Sequence, residues 1–296
     1  MIGKKGDRRR VSGAAKDREP TRIQSLSRAN AILDVIAAQD AVSLTEIARR
    51  TLLNTTTVYY LVETLVSLGF VERTSASGGY RLGLRNLELG WAVQQRFDIV
   101  ATARPALMRL CAATKETANL CVPYLFEAMI VESVEGIYGV RATAYAGTRA
   151  AYHSTSGGKA ILAHLDDEVR QTIYRVRPLR ALTTSTITDI PVLEEQLKQV
   201  RREGVAYDFE ENEEAAHCVA APIFDGLGEI AGAISISGPM NRLTTETAMR
   251  LGEVIAVETE AITAALSGTS TGSGLAGTWR GRQNGAPPSP ITSPTR

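Results

Sequence analysis

SLTEIARRTLLNTTTVYYLVETLVSLGFVERTSASGGYRLG, residues 43–83, reads as two short helices, a tight turn and a strand pair. Ser43 stands three residues before Glu46, the capping-box spacing, and opens a helix whose apolar side is Leu44, Ile47 and Ala48. Leu52-Leu53-Asn54 has room only for a turn, and Asn54 or Thr55 can cap the helix that follows. There Val58, Leu61, Val62, Leu65 and Leu68 mark one stripe, which Gly69 ends. Phe70-Val71-Glu72-Arg73 and Tyr80-Arg81-Leu82 alternate with period two around Ser75-Ala76-Ser77-Gly78-Gly79, which is hairpin chemistry. Upstream, Leu26, Ala29, Leu33 and Ile36 recur at helical spacing and predict a first helix with one buried face. Residues 22–83 therefore read as a winged helix-turn-helix.

Outward from this module, residues 84–114 return to helical spacing through Leu84, Leu87, Trp91, Ile99, Val100, Ala103, Leu107 and Leu110, with Pro105 expected to kink or restart the helix. Beyond Glu116, strands are predicted at 119–125, 129–134, 205–210, 218–224 and 229–237. Helices are predicted at 156–165, 167–176, 190–203 and 244–266. The fold class is α+β: a winged helix-turn-helix, a helical linker over 84–114 and a second domain over 115–266. Residues 1–21 are polar and basic without periodicity, and residues 267–296 are rich in Gly and Pro; both are expected to be disordered and to lie outside the fold.

Across its 296 residues the chain is 44% hydrophobic and 22% charged, and its 33 Lys+Arg against 32 Asp+Glu exclude a strongly basic or wholly disordered protein. The balance is uneven. Residues 1–90 carry 14 basic against nine acidic residues, and residues 91–296 carry 19 against 23, a basic front on a mildly acidic body. Cys111, Cys121 and Cys218 are too scattered for a disulfide framework or a cysteine-based zinc site. No signal-like segment follows Lys4 to Arg10, and no apolar run approaches the roughly 20 residues of a membrane span. A cytoplasmic protein without a membrane partner is expected.

Five blocks, in this order, resemble the IclR family of bacterial transcription regulators over residues 23–266. They are Ile23-Gln24-Ser25-Leu26 opening the winged module, Tyr80-Arg81-Leu82-Gly83 closing the wing, and His153-Ser154-Thr155-Ser156-Gly157-Gly158-Lys159-Ala160. The last two are Cys218-Val219-Ala220-Ala221-Pro222-Ile223-Phe224-Asp225 and Ile234-Ser235-Ile236-Ser237-Gly238-Pro239. The resemblance implies a GAF-like effector-binding domain and a homodimer or homotetramer on a palindromic operator in double-stranded DNA. It also implies that Ser156 and Gly157 supply backbone contacts to a small acid and that Asp208 and Cys218 line the same pocket. In two places the chain departs from the family. Thr55 and Tyr60 stand where relatives commonly carry Lys and Arg, so arginine's bidentate grip on guanine is missing from this helix. Ala215-Ala216-His217 replaces the usual Gly-Leu before the cysteine.

In a winged helix-turn-helix the third helix enters the major groove while flanking cations meet phosphates. Thr55, Thr56, Thr57, Tyr59 and Tyr60 lie off the apolar stripe and are the candidate base contacts, although both tyrosines could instead pack on the wing. Arg28, Arg49, Arg50, Arg73 and Arg81 are the candidate phosphate contacts. Ser156-Gly157-Gly158-Lys159 is no P-loop, because His153 stands where a glycine is required and Ala160 where Ser or Thr is required. What survives is a helix start whose free N–H groups favour an anion. With Asp208 accepting from a second group, hydroxy acids and hydroxylated aromatic acids are the expected effectors. His153, His164 and His217 lack metal-ligand spacing, and no GxSxG elbow is present; neither a metal, a cofactor nor a catalytic residue is expected. The expectation is a regulator, acting as a repressor, controlled by a small organic acid. The alternative is an enzyme or metal sensor with the second domain as its active unit, and a sequence-tolerant architectural DNA protein is a third reading.

Overall fold

The structure, a computed structural model, describes residues 23–39, 41–74, 78–94 and 98–268. The two expected tails, except for Ser267 and Gly268, and the hairpin tip Ser75-Ala76-Ser77 fall outside the described residues. The chain divides into two compact units, with the division between Glu88 and Leu89.

The first unit contains α1 (Gln24–Ala37), α2 (Leu44–Thr51), α3 (Thr55–Ser67) and the paired strands β1 (Val71–Arg73) and β2 (Tyr80–Leu82). Its caps are those the residues predict: Ser43 accepts from the Glu46 N–H, and Asn54 accepts from the Thr57 N–H at 2.7 Å. Ile32, Ile36, Ile47, Val58 and Val62 are fully buried together, and Val42 joins the wing by exchanging two backbone hydrogen bonds with Tyr80. The α1 face differs from expectation. Its buried line runs through Ile32 and Ile36, one turn apart; Leu33 lies at the edge, and Leu26, on another side of the helix, is 67% exposed. Leu68 follows the last residue of α3 and is exposed too, so the stripe ends at Leu65.

α4 (Arg85–Gln94) spans the division, and α5 (Asp98–Thr114) follows. α5 passes through Pro105 without ending. Pro105 and Ala101, whose carbonyl loses its N–H partner, both lie on the exposed side of the helix, while Ala103, Ala106, Leu107 and Leu110 are buried.

The second unit is built on a six-stranded antiparallel sheet of β3 (Thr117–Tyr124), β4 (Glu127–Val134), β5 (Arg149–Ala150), β6 (Ala206–Phe209), β7 (Ala216–Phe224) and β8 (Ile230–Pro239). The order β5-β4-β3-β8-β7-β6 sets two meanders side by side, joined through β3 and β8. Period-two alternation gives the sheet two unlike faces. Leu120, Val122, Val219, Ala221, Ile223, Ile234 and Ile236 meet α5 and α9 (Thr245–Gly268). Cys121, Ala128, Ile130, Ala206, Ala220 and Ala233 face α6 (Ser156–Leu162), α7 (Asp167–Val176) and α8 (Ile190–Glu203). At roughly 1.5–3 kcal/mol per fully buried aliphatic side chain, the first face carries most of the burial energy. The small residues of the second let helices and loops approach closely. Arg170 ties α7 to α8 by bonding Glu194, which also accepts from the Tyr174 hydroxyl.

Candidate functional site

In the first unit α3 presents its candidate base-reading residues outward. Thr55 and Thr56 are exposed and Thr57 is half-buried; Tyr59 and Tyr60 are 44% and 67% exposed and meet edge to face, so neither packs into the wing. Four of the five candidate phosphate-binding arginines hold acidic partners. Arg49 and Arg50 both bond Glu46, which is therefore held near a pKa of about 2 rather than reaching back to complete the capping box. Arg73 bonds Glu63 on α3, and Arg81 bonds Glu72 directly across the wing. Arg28 has no carboxylate partner among the described residues. α3 itself contains no lysine or arginine.

In the second unit the four candidate effector residues share the α6 face of the sheet. β6 pairs with β7 so that Asp208 stands directly opposite Cys218, and the same row continues to Ser237 on β8 and Thr117 on β3. The adjacent row runs from Ala206 and Ala220 through Ser235 and Asn119 to Ser133, which donates to Asn119. One end of an otherwise alanine-lined face is thus polar. Asp208, Thr117 and Asn119 are buried, whereas Cys218 and Ser237 are partly exposed as residues.

α6 lies over this face with all seven residues buried, its start capped by Thr155 accepting from the Gly158 N–H. Both glycines have packing reasons: a Cβ at Gly157 would stand 3.0 Å from the Cys121 sulfur, and one at Gly158 would stand 2.4 Å from the Ala151 carbonyl oxygen. The N–H groups of Ser156 and Gly157 precede the first intrahelical bonds. Lys159, which ends the incomplete phosphate-loop pattern, is fully buried and ion-paired to buried Glu211. The turn carrying Glu211 is also gripped by Thr186, which donates to its carbonyl, by Thr183, which donates to Glu210, and by Ser154, which donates to Asn212.

Burial sets the electrostatics. Asp208 is pushed up to about 7 by desolvation, against the opposing N–H bonds of Glu211 and Asn212 and the charge of Lys159. Burial and the neighbouring Asp208 carboxylate push the Cys218 thiol up, and burial pushes Cys121 up to about 12, so both stay protonated near neutrality. Glu211 is raised by burial in spite of Lys159. The histidines do not gather: His153, His164 and His217 donate to the carbonyls of Arg180, Ala160 and Leu243. No metal-ligating group forms among the described residues.

The family model for the "Bacterial transcriptional regulator IclR C-terminal" domain matches residues 91–264, and that for the "IclR helix-turn-helix domain" matches residues 25–75. The chain belongs to the IclR family. Among IclR-family relatives, the HTH-type transcriptional regulator BhcR of Paracoccus denitrificans is 37% identical over 244 residues, covering 82% of this chain and 88% of its own. The Escherichia coli transcriptional repressor IclR is 32% identical over 249 residues, covering 83% and 91%. An IclR homolog from Microbacterium hydrocarbonoxydans, solved in complex with 4-hydroxybenzoate, superposes with a TM-score of 0.70 at 26% identity, covering 82% of this chain and all of that one. These relatives are transcriptional regulators rather than enzymes. The chain is accordingly a helix-turn-helix regulator with a C-terminal α+β domain. No helix among the described residues is long and apolar enough to cross a membrane.

The sequence reading missed Lys159, Glu211, Thr117, Asn119, Ser235 and Ser237. Alternation in Ile234-Ser235-Ile236-Ser237 was the available signal: on a buried strand, the two serines had to share a face that was not apolar.

Proposed function

We propose that this chain is a cytoplasmic repressor that binds a palindromic operator as a homodimer or homotetramer and responds to a small organic acid in its GAF-like second domain. The row Thr117-Ser237-Cys218-Asp208 beneath α6 carries the reading. Thr117 spends its hydroxyl on the Ala142 carbonyl and the Gly136 N–H. Ser237, Cys218 and Asp208 are therefore the groups the row offers on a floor of small residues, with the Ser156 and Gly157 N–H groups at the helix start to meet a carboxylate. The solved relative holds 4-hydroxybenzoate, an aromatic acid with a hydroxyl, which belongs to the expected ligand class.

In the module, Thr55, Thr56, Thr57, Tyr59 and Tyr60 face base edges, while Arg28, Arg49, Arg50, Arg73 and Arg81 orient the unit on phosphates. Leu84, Leu87 and Trp91 are exposed at helical spacing along residues 84–91, which supports self-association through the linker. Residues 22–83, 84–114 and 115–266 are then the reader, linker and sensor. An effector that favours one arrangement of the sensor pair shifts operator affinity by the same coupling that operator binding exerts on effector affinity.

Asp208 makes the reading testable. Near its pKa of about 7 it accepts from an effector hydroxyl when ionised and donates to a carboxylate when protonated. Calorimetry with 4-hydroxybenzoate and a panel of short hydroxy acids is expected to find binding that Asp208→Ala weakens about ten- to a hundredfold, the loss of one hydrogen bond to a charged group. Acids without a hydroxyl should weaken as pH rises through 7, while hydroxy acids should not. Equal affinity in parent and variant for every acid that binds would remove Asp208 from the site.

A further inference from the structure

α3 carries one charged residue, and it is acidic. Thr56, Tyr59, Tyr60 and Glu63 follow one another at i, i+3, i+4 and i+7, a spacing at which a helix lying in the major groove presents base-contacting side chains. Glu63 is half-buried, and its Oε1 accepts from Arg73, the last residue of β1, at 2.5 Å; Oε2 bonds no other side chain among the described residues. The two outward hydroxyls beyond Tyr60 are engaged within the helix, Thr64 donating to the Tyr60 carbonyl and Ser67 to the Thr64 carbonyl. Past Tyr60, the strongest acceptor on this face is therefore the Glu63 carboxylate. Phosphates would repel a bare carboxylate, but the Arg73 guanidinium neutralises this one and fixes its direction. With its side chain 58% exposed, Arg73 still has a face to turn to the duplex.

We propose that Glu63 is a further base-contacting residue of α3, its carboxylate accepting from the exocyclic amine of a cytosine in the major groove, and that Arg73 is the positioning residue that holds it there. This rests on the reading of α3 as the base-contacting helix and adds a named base to it. Cytosine is the base whose major-groove edge offers a donor alone, its N4 amine, and an ionised carboxylate offers acceptors alone. Thymine sets an O4 acceptor at the same place, and adenine sets its N7 acceptor beside the amine, so both are disfavoured. A helix without lysine or arginine thereby still reads a G·C pair, from the cytosine side. From Thr56 to Glu63 the helix rises about 10 Å, and at about 3.4 Å per base pair the two side chains address positions within about three base pairs of each other.

The test selects duplexes from random oligonucleotides with the full parent chain and with Glu63→Gln, Arg73→Gln and Thr56→Ala. Each protein is then titrated on the parental duplex, on the same duplex with the implicated cytosine changed to thymine, and on a scrambled duplex. An exposed ion pair adds little stability, so the variants should melt as the parent does. The parent is expected to prefer cytosine at a position within about three base pairs of the one that Thr56→Ala alters. On the thymine duplex it should lose at least about tenfold, Glu63→Gln less than about threefold, and Arg73→Gln an amount between the two. Selection with Glu63→Gln should move that position towards adenine, whose N6 and N7 a glutamine amide bonds together. On the scrambled duplex Glu63→Gln should bind more tightly than the parent, with a slope of log K against log salt steeper by up to about 0.9 unit, because Arg73 is free for a phosphate. A Glu63→Gln variant that keeps the parental cytosine preference overturns the proposal. So does one that weakens on all three duplexes alike, which would make the ion pair a latch between α3 and the wing. An Arg73→Gln variant as selective as the parent overturns the positioning role. If neither Thr56→Ala nor Glu63→Gln alters any base preference, the reading of α3 fails as well; if Thr56→Ala alone does, α3 stands and Glu63 is removed from it.

Discussion

Lys159→Met removes the cation from a pair that is buried at both ends, Lys159 completely and Glu211 to within 6% of full burial. Breaking such a pair from one side strands a charge in a medium that cannot solvate it, at a cost of about 3–5 kcal/mol. For a unit of this size 1 kcal/mol is worth roughly 2–4 °C, so the melting temperature of the second unit should fall by about 6–20 °C. The loss should depend on pH in a definite sense. Glu211 already has a raised folded-state pKa from desolvation, and losing Lys159 raises it further. A carboxyl whose folded pKa lies above its unfolded value contributes stability that is fully present below the unfolded value of about 4.5 and is lost as pH rises through the folded value. The variant should therefore be nearest the parent at the acid end and furthest from it at neutral and alkaline pH. Lys159→Met/Glu211→Met removes both charges and should return to within about 1 kcal/mol of the parent, because replacing an intact buried pair by apolar side chains is close to neutral. Thermal and urea melts of parent, single and double variants, followed by circular dichroism, read all three quantities. A single variant that loses under about 1 kcal/mol, a loss independent of pH, or a double variant as unstable as the single one would each refute the reasoning.

Thr56→Ala and Tyr60→Ala should change which bases are preferred in selection from random oligonucleotides while leaving the salt slope intact; recovery of the parental site by both would place the base-reading residues elsewhere. Gly158→Ala drives a Cβ to 2.4 Å from the Ala151 oxygen and 2.5 Å from the Thr155 oxygen, so thermal melts should show a loss at the upper end of the roughly 1–3 kcal/mol seen for overpacking. Gly157→Ala meets only the Cys121 sulfur at 3.0 Å and should cost less. Asp208→Asn should gain stability relative to the parent as pH rises from about 4 towards 7, since the parent's raised carboxyl pKa makes its ionisation increasingly unfavourable there; parallel stability curves would show that Asp208 titrates normally.

The elements that could be read from sequence are those whose signals are local. Ser43, Asn54, Thr155 and Asp189 cap helices within three residues of themselves, and the helices opened by Asp167 and Ile190 begin and end where their spacing places them. β5 escaped because two residues cannot show a period, and the α1 face was misjudged because four apolar residues admit two stripes that only α2 and α3 decide between. The site divides along the same line. Asp208 and Cys218 are ten residues apart, and a hairpin brings them opposite each other, so a strand reading could find them. Lys159 and Glu211 are separated by 52 residues and meet only after α6 has folded over the sheet. In one dimension Lys159 is a cation beside glycines, the same text that opens a phosphate loop. What changes its chemistry is burial: α6 has all seven residues inside, and a fully buried lysine needs a buried partner. A helix start made wholly of small residues is the only local warning that α6 sinks that far. It implies that the polar groups beneath such a helix should be sought on distant strands and turns, where Glu211, Ser235 and Ser237 lie, rather than within the motif itself.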